Sequence, residues 1–143
     1  MYTKPVKISE VERKWFIVDA EDQNLGRLSS NIAKLIRGKS KVNYSPNLDM
    51  GDFVIVINSS KVKLSGNKEN AKDYWRHTGY PGGQKKTSFN KSINTNAKKV
   101  ITNAVKGMLP HNKLGRKLLK HLKVYNGVNH PHSAQSPEKV VFK

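Results

Sequence analysis

The chain has 143 residues, no Cys, and 27 Lys and Arg against 10 Asp and Glu, a formal net charge of +17 at pH 7. Without thiols there is no disulfide framework and no thiolate metal site. No run approaches the roughly 20 apolar residues of a membrane span, and the opening MYTKPVKISEVERKW lacks the apolar centre of a secretory signal.

The length fits one domain over residues 1–143, with irregular extensions expected at about 1–13 and about 128–143. WFIVDA (Trp15 to Ala20), rich in aromatic and branched residues, predicts a strand. The turn EDQNLG follows, with Asp22 or Asn24 able to cap a helix. Leu25, Leu28, Ile32, Leu35 and Ile36 recur at helical spacing, and Gly38 stands where that helix should stop. FVIVI (Phe53 to Ile57) is apolar without alternation, as in a strand covered on both faces. Strand, helix and buried strand in succession predict a parallel α/β unit with a right-handed crossover.

KVKLSGNK (Lys61 to Lys68) reads as a short strand and turn. DYWRHTGY (Asp73 to Tyr80) reads as another strand entering the loop PGGQKK, and TSFNKSI reads as one helical turn. Ala97, Val100, Ile101, Ala104, Val105, Met108 and Leu109 form a clear amphipathic stripe, with Asn96 as its cap and Pro110 as its stop. Lys98, Lys99 and Lys106 lie on its other side. A second helix is expected from about Lys113 to Leu122, burying Leu114, Leu118 and Leu122 and turning Arg116, Lys117, Lys120 and Lys123 outward. VYNG reads as a last short strand.

The charge is unevenly spread. Residues 1–71 hold 12 bases and 8 acids, whereas residues 72–143 hold 15 bases and 2 acids, Asp73 and Glu138. A solvated face usually mixes both signs; an excess of one sign builds a field that attracts a polyanion. Nucleic acid is therefore the expected partner. An anionic membrane surface fits poorly, because the basic segments lack Trp or Phe on their apolar sides.

Other chemistries fare worse. GYPGGQKKT (Gly79 to Thr87) invites a phosphate-loop reading, but Gln84 stands before Lys85 where a P-loop needs Gly, and Thr87 follows a second Lys. The segment is better taken as a flexible basic loop whose glycines let backbone approach RNA phosphates. His130 and His132 could begin a metal site, yet no Cys and almost no acid is near to complete it; hydrogen bonding to phosphate or 2′-OH suits them better. Asp49 and Asp52, with Asp19, do not have the spacing of an acid/base pair and read as turn or cap residues. Trp75 and Tyr80, beside Arg76 and His77, fit either stacking on unpaired bases or a place in the core. An α/β nucleotide-dependent enzyme using the Gly82–Gly83 loop and a free-standing RNA-binding regulator remain as rival classes.

At this point the residues resemble a known family. VKGMLPHNKLGR (Val105 to Arg116) followed by LKVYNG (Leu122 to Gly127) is similar to the signature of the bacterial-type large-subunit ribosomal protein L-thirteen family. WFIVDA, LGRL, LIRGK, GDFVIVINSSKV, GNK, YWRHTGYPGG and the spaced His130, Ala134, Gln135 and Pro137 follow in that family's order and cover nearly the whole chain. One departure is PHNKLGR, where the family more often carries a Lys-Gly-Pro-like segment; the basic character is kept.

The resemblance implies a three-layer α/β/α fold with a central, mainly parallel sheet of about four strands. It implies a non-enzymatic structural component of the large ribosomal subunit, in the cytoplasm, that binds large-subunit ribosomal RNA beside neighbouring ribosomal proteins and joins early in assembly. Some family members also bind their own messenger RNA and restrain its translation, so that binding stands as a further expectation. No cofactor, metal, membrane or small-molecule substrate is implied. The expected RNA contacts are Arg76, His77, Lys85, Lys86, Lys106, Lys113, Arg116, Lys117, Lys120, Lys123, His130 and His132. Family motifs support Arg76, His77, Lys106, Arg116, Lys123 and His130; charge and expected exposure support the others.

Overall fold

The computed structural model describes residues 6–142; residues 1–5 and 143 of the expected extensions lie outside the described residues. Strand β1 (Trp15–Asp19) runs parallel to β2 (Phe53–Ile57), with Trp15 opposite Phe53 and Asp19 opposite Ile57. Helix α1 (Leu25–Arg37) connects them. Of the two candidate caps, Asn24 acts: its Oδ1 accepts the Gly26 N–H at 3.1 Å, satisfying a donor that a helix start leaves open. Gly38 ends the helix at φ 72°, a left-handed conformation that glycine adopts without a Cβ penalty. Leu25, Leu28, Ile32 and Ile36 are buried, as their spacing requires.

The strand expected at 61–68 shrinks to a single parallel bridge between Lys63 and Asn24. A left-handed turn at Gly66 and the short α2 (Lys68–Ala71) take the rest. Next, β3 (Asp73–His77) pairs antiparallel with β4 (Gln84–Ser88) as a two-stranded sheet of its own. This corrects the expected loop: Lys85 and Lys86 belong to a strand, because pairing with β3 gives their backbone groups partners.

Helix α3 (Phe89–Met108) joins the expected helical turn to the expected long helix, with Asn96 at φ −156°, ψ 77° as the kink between them. The Asn96 Oδ1 accepts the Lys99 N–H at 3.1 Å, so the second half has its own cap. Helix α4 (Lys113–Leu119) stops three residues before the expected end. Leu122 and Lys123 instead lie in β5 (Leu122–Val124), which pairs parallel with β2. The expected VYNG strand is shifted towards the N-terminus: Val124 is the last residue of β5, and the Tyr125 N–H still donates to the Val56 carbonyl at 2.8 Å. The tail from Val128 is less irregular than expected. It holds a 3-10 turn (Ser133–Gln135) and β6 (Glu138–Lys139), which pairs parallel with β1 at Phe16 and Ile17.

The main sheet is thus four parallel strands in the order β5-β2-β1-β6, within the expected three-layer α/β/α arrangement. Side chains alternate across it. Val18, Val54, Val56 and Leu122 join the buried cluster formed with α1, α3 and α4. On the alternate positions Trp15 stacks on Phe53, with ring centroids 4.4 Å apart, and His132 and His121 extend this aromatic row.

Candidate nucleic-acid interface

Local folding decides which bases reach the surface. In α4 the Asn112 Oδ1 accepts the Gly115 N–H at 2.8 Å, and Gly115 and Leu118 turn inward. Gly115 is required by close approach, because a Cβ there would lie 1.8 Å from the Pro110 carbonyl oxygen. With that face pinned, Lys113, Arg116, Lys117 and Lys120 are exposed. Lys106 is exposed on the last turn of α3. Lys117 is partly engaged, its Nζ 3.4 Å from Asp49 Oδ2. Lys123 is half-buried in β5.

The hairpin presents a second group. Arg76, His77, Lys85 and Lys86 are exposed on β3 and β4. His77 has a local task, its Nδ1 accepting the Gly79 N–H at 2.9 Å. Lys86 is held by Asp73 at 2.8 Å and lies 5.4 Å from the centre of the Trp75 ring. Trp75 and Tyr80 are 59% and 77% exposed, which decides against a core role.

The C-terminal histidines differ from one another. The His132 Nε2 lies 2.8 Å from the Tyr125 hydroxyl and its ring is 5.1 Å from Trp15, so it is committed to packing. The His130 Nδ1 accepts the His132 N–H at 3.2 Å, which leaves its Nε2 for another partner. Lys98 of α3 stands 5.6 Å from the centre of the Tyr125 ring and ties this group to the helix. Helix α3 is therefore the common support, packing against β4, α4 and β5.

A groove of about 660 Å³ lies between the hairpin and α3. Tyr74, Arg76 and Lys85 line it from the hairpin, and Lys91 and Lys99 from the helix. The expected contacts omitted Lys91, Lys98 and Lys99. For Lys98 and Lys99 the signal was present, on the outer side of the amphipathic stripe; Lys91 fell in a separate expected turn, beyond the kink at Asn96.

A family model for ribosomal protein L13 matches residues 13–131. The chain belongs to the ribosomal protein L13 family. Among its relatives is the large ribosomal subunit protein uL13 of Brevibacillus brevis, 56% identical over 136 residues, covering 95% of this chain and 94% of the relative. The uL13 of Syntrophomonas wolfei is 52% identical over 138 residues, 96% of each chain. That of Herpetosiphon aurantiacus is 50% identical over 143 residues, 100% of this chain and 99% of the relative.

Membership in the L13 family makes the chain a ribosomal structural protein and not an enzyme. The geometry explains why the suggestive motifs carry no chemistry. PGG is a hairpin tip, closed by the Gly83 N–H to the Tyr80 carbonyl at 2.9 Å, and it leads into a strand rather than the helix start that a phosphate loop needs. The acids have structural partners. Asp52 is buried, accepting the Lys14 N–H at 2.9 Å and meeting Lys41 Nζ at 2.7 Å. Asp49 faces Arg13, Lys117 and the buried His121. Sequence reading missed His121 as a member of this cluster, because its burial follows from α4 ending early.

Proposed function

We propose that this L13-family chain acts as one domain in the cytoplasm, as a structural component of the large ribosomal subunit that binds large-subunit ribosomal RNA. It does so through the surfaces of α3, α4 and the β3–β4 hairpin. The observation that carries this reading is the unpaired charge. Twelve Lys and Arg lie between Tyr74 and Pro137, and among the described residues two of them, Lys86 and Lys117, meet an acid. Among the eleven bases of described residues 6–71, five do: Arg13, Lys14, Lys41, Lys61 and Lys63. Uncompensated cations on one part of a surface repel each other, and phosphate removes that cost while condensed counterions are released.

Arg76, Lys85, Lys106, Lys113, Arg116 and Lys120 are the contacts best supported, being exposed and without an acid partner among the described residues. Arg can bridge two phosphates or stack on a base, whereas Lys acts as a mobile point charge. Folded RNA is read by shape through phosphates and 2′-OH groups, so little linear sequence preference is expected. Such neutralisation lets RNA helices pack closely, which suits early entry into the assembling subunit beside neighbouring ribosomal proteins. Binding of its own messenger RNA would draw on the same cationic surface.

Gradient sedimentation of a cell lysate tests the reading. The chain should travel with the large subunit and be released from it by high salt. A chain confined to the light fractions would overturn the assignment.

A further inference from the structure

The groove between the hairpin and α3 has features that a phosphate-neutralising surface does not need. Its four cations stand on two opposite walls, Arg76 and Lys85 on the hairpin and Lys91 and Lys99 on the helix. None of the four meets an acid among the described residues, whereas Lys86, on the next position of β4, is tied to Asp73. Strand alternation produces this sorting: Arg76 pairs with Lys85 on one face of the hairpin, and Trp75 with Lys86 on the other. Between the walls lie the half-buried Tyr74 and the buried Val100, an apolar floor under a cationic rim.

We propose that this groove holds an unpaired RNA strand, with phosphates on the two cationic walls and a base set between them. The inference rests on the RNA-binding reading above and names the form of RNA that this part of the surface takes. A double helix keeps its bases stacked inside and can lay only its backbone across such a cleft. An unpaired nucleotide can present its flat, apolar base to the floor, where Tyr74 lies, while its phosphates stay at the rim. The groove's 660 Å³ falls within the size of clefts that enclose small ligands. The kink at Asn96 serves the same end, since the helix changes course between Lys91 and Lys99 and both remain along one wall.

Binding of the full-length protein to decauridylate and to a ten-base-pair RNA duplex, followed by titration and by backbone amide NMR, provides the test. Decauridylate should shift the amides around Arg76, Lys85, Lys91 and Lys99, and the duplex should not. The double variant Lys91→Glu, Lys99→Glu should lose about tenfold or more in affinity for decauridylate, and its salt slope should shorten by roughly 1.4 at about 0.7 per single-strand phosphate contact. Tyr74→Leu, which leaves every wall charge in place, should weaken the same complex roughly fivefold or more. Each variant's circular dichroism and melting profile would be compared with the parent's, and the NMR map of the parent needs no variant. Decauridylate shifts spread evenly over all basic surfaces, or equal loss of both RNAs in the Lys91/Lys99 variant, would overturn the groove assignment. If large-subunit RNA were still bound in that case, the general RNA-binding reading would stand and only this inference would fail.

Discussion

Burial pushes the His121 imidazole below the usual histidine value, against the pull of Asp49, while Arg13 and Lys117 reinforce the downward shift. The ring is 6% exposed and lies 4.5 Å from Phe53, centre to centre. The folded state therefore resists a proton that the unfolded chain accepts near pH 6.5. Above that value His121 is neutral in both states and its contribution is fully present. As pH falls below about 6.5 the unfolded state binds the proton first, and stability declines. The urea midpoint of the parent should drop between pH 7.5 and 5.5, and His121→Phe, which keeps a ring against Phe53, should flatten that decline. An unchanged slope would assign the pH dependence to other groups. Gly115 is a second residue whose identity is set by contact. Gly115→Ala would drive its Cβ against the Pro110 carbonyl and should cost about 3 kcal/mol, read as a lower urea midpoint with unchanged slope. Neither residue could be singled out from sequence, because burial of His121 arises from how α4 turns into β5 and the approach to Pro110 from how α3 turns into α4.

Elements differed in legibility for physical reasons. The spans of β1, α1 and β2 could be read closely, because each carries its own periodicity and α1 has a cap and a glycine stop. The hairpin partner β4 could not: its QKKTS sequence shows no apolar alternation, since the strand buries little and is held by pairing with β3. The two residues of β6, Glu138 and Lys139, carry no strand signal, and only the edge of β1 makes them one. Leu122 continues the leucine spacing of α4 but is claimed by β2, where Val54 takes it as a partner; tertiary pairing overrides helical spacing. The exposed bases of α4 followed from the buried positions of Gly115 and Leu118. Arg116→Ala with Lys120→Ala should therefore weaken binding to large-subunit RNA severalfold and shorten the salt slope by roughly 1.4 to 1.8, at about 0.7 to 0.9 per contact. Its melting temperature should stay near the parent's, since neither side chain has an acid partner to lose. Lys117 is left out because its contact with Asp49 would mix a fold effect into the result.

At the scale of the molecule, the division of charge is the dominant fact. Of the eleven bases among described residues 6–71, five meet an acid, four of them at Asp49, Asp52, Glu21 and Asp22. The second half, which supplies α3, α4, β5 and the hairpin, leaves ten of its twelve bases between Tyr74 and Pro137 without an acid among the described residues. That division could be read from the sequence, whereas the groove that concentrates four of the ten required the hairpin to be in place. Cations left unpaired in the free protein are expected to find their partners on phosphate. The most direct measurement is the affinity of the full-length chain for large-subunit ribosomal RNA over a range of salt concentrations. Six phosphate contacts require log affinity to fall against log salt with a slope of roughly −4 to −5. A slope near zero would show that the basic half does not meet phosphate, and would contradict the proposed interface.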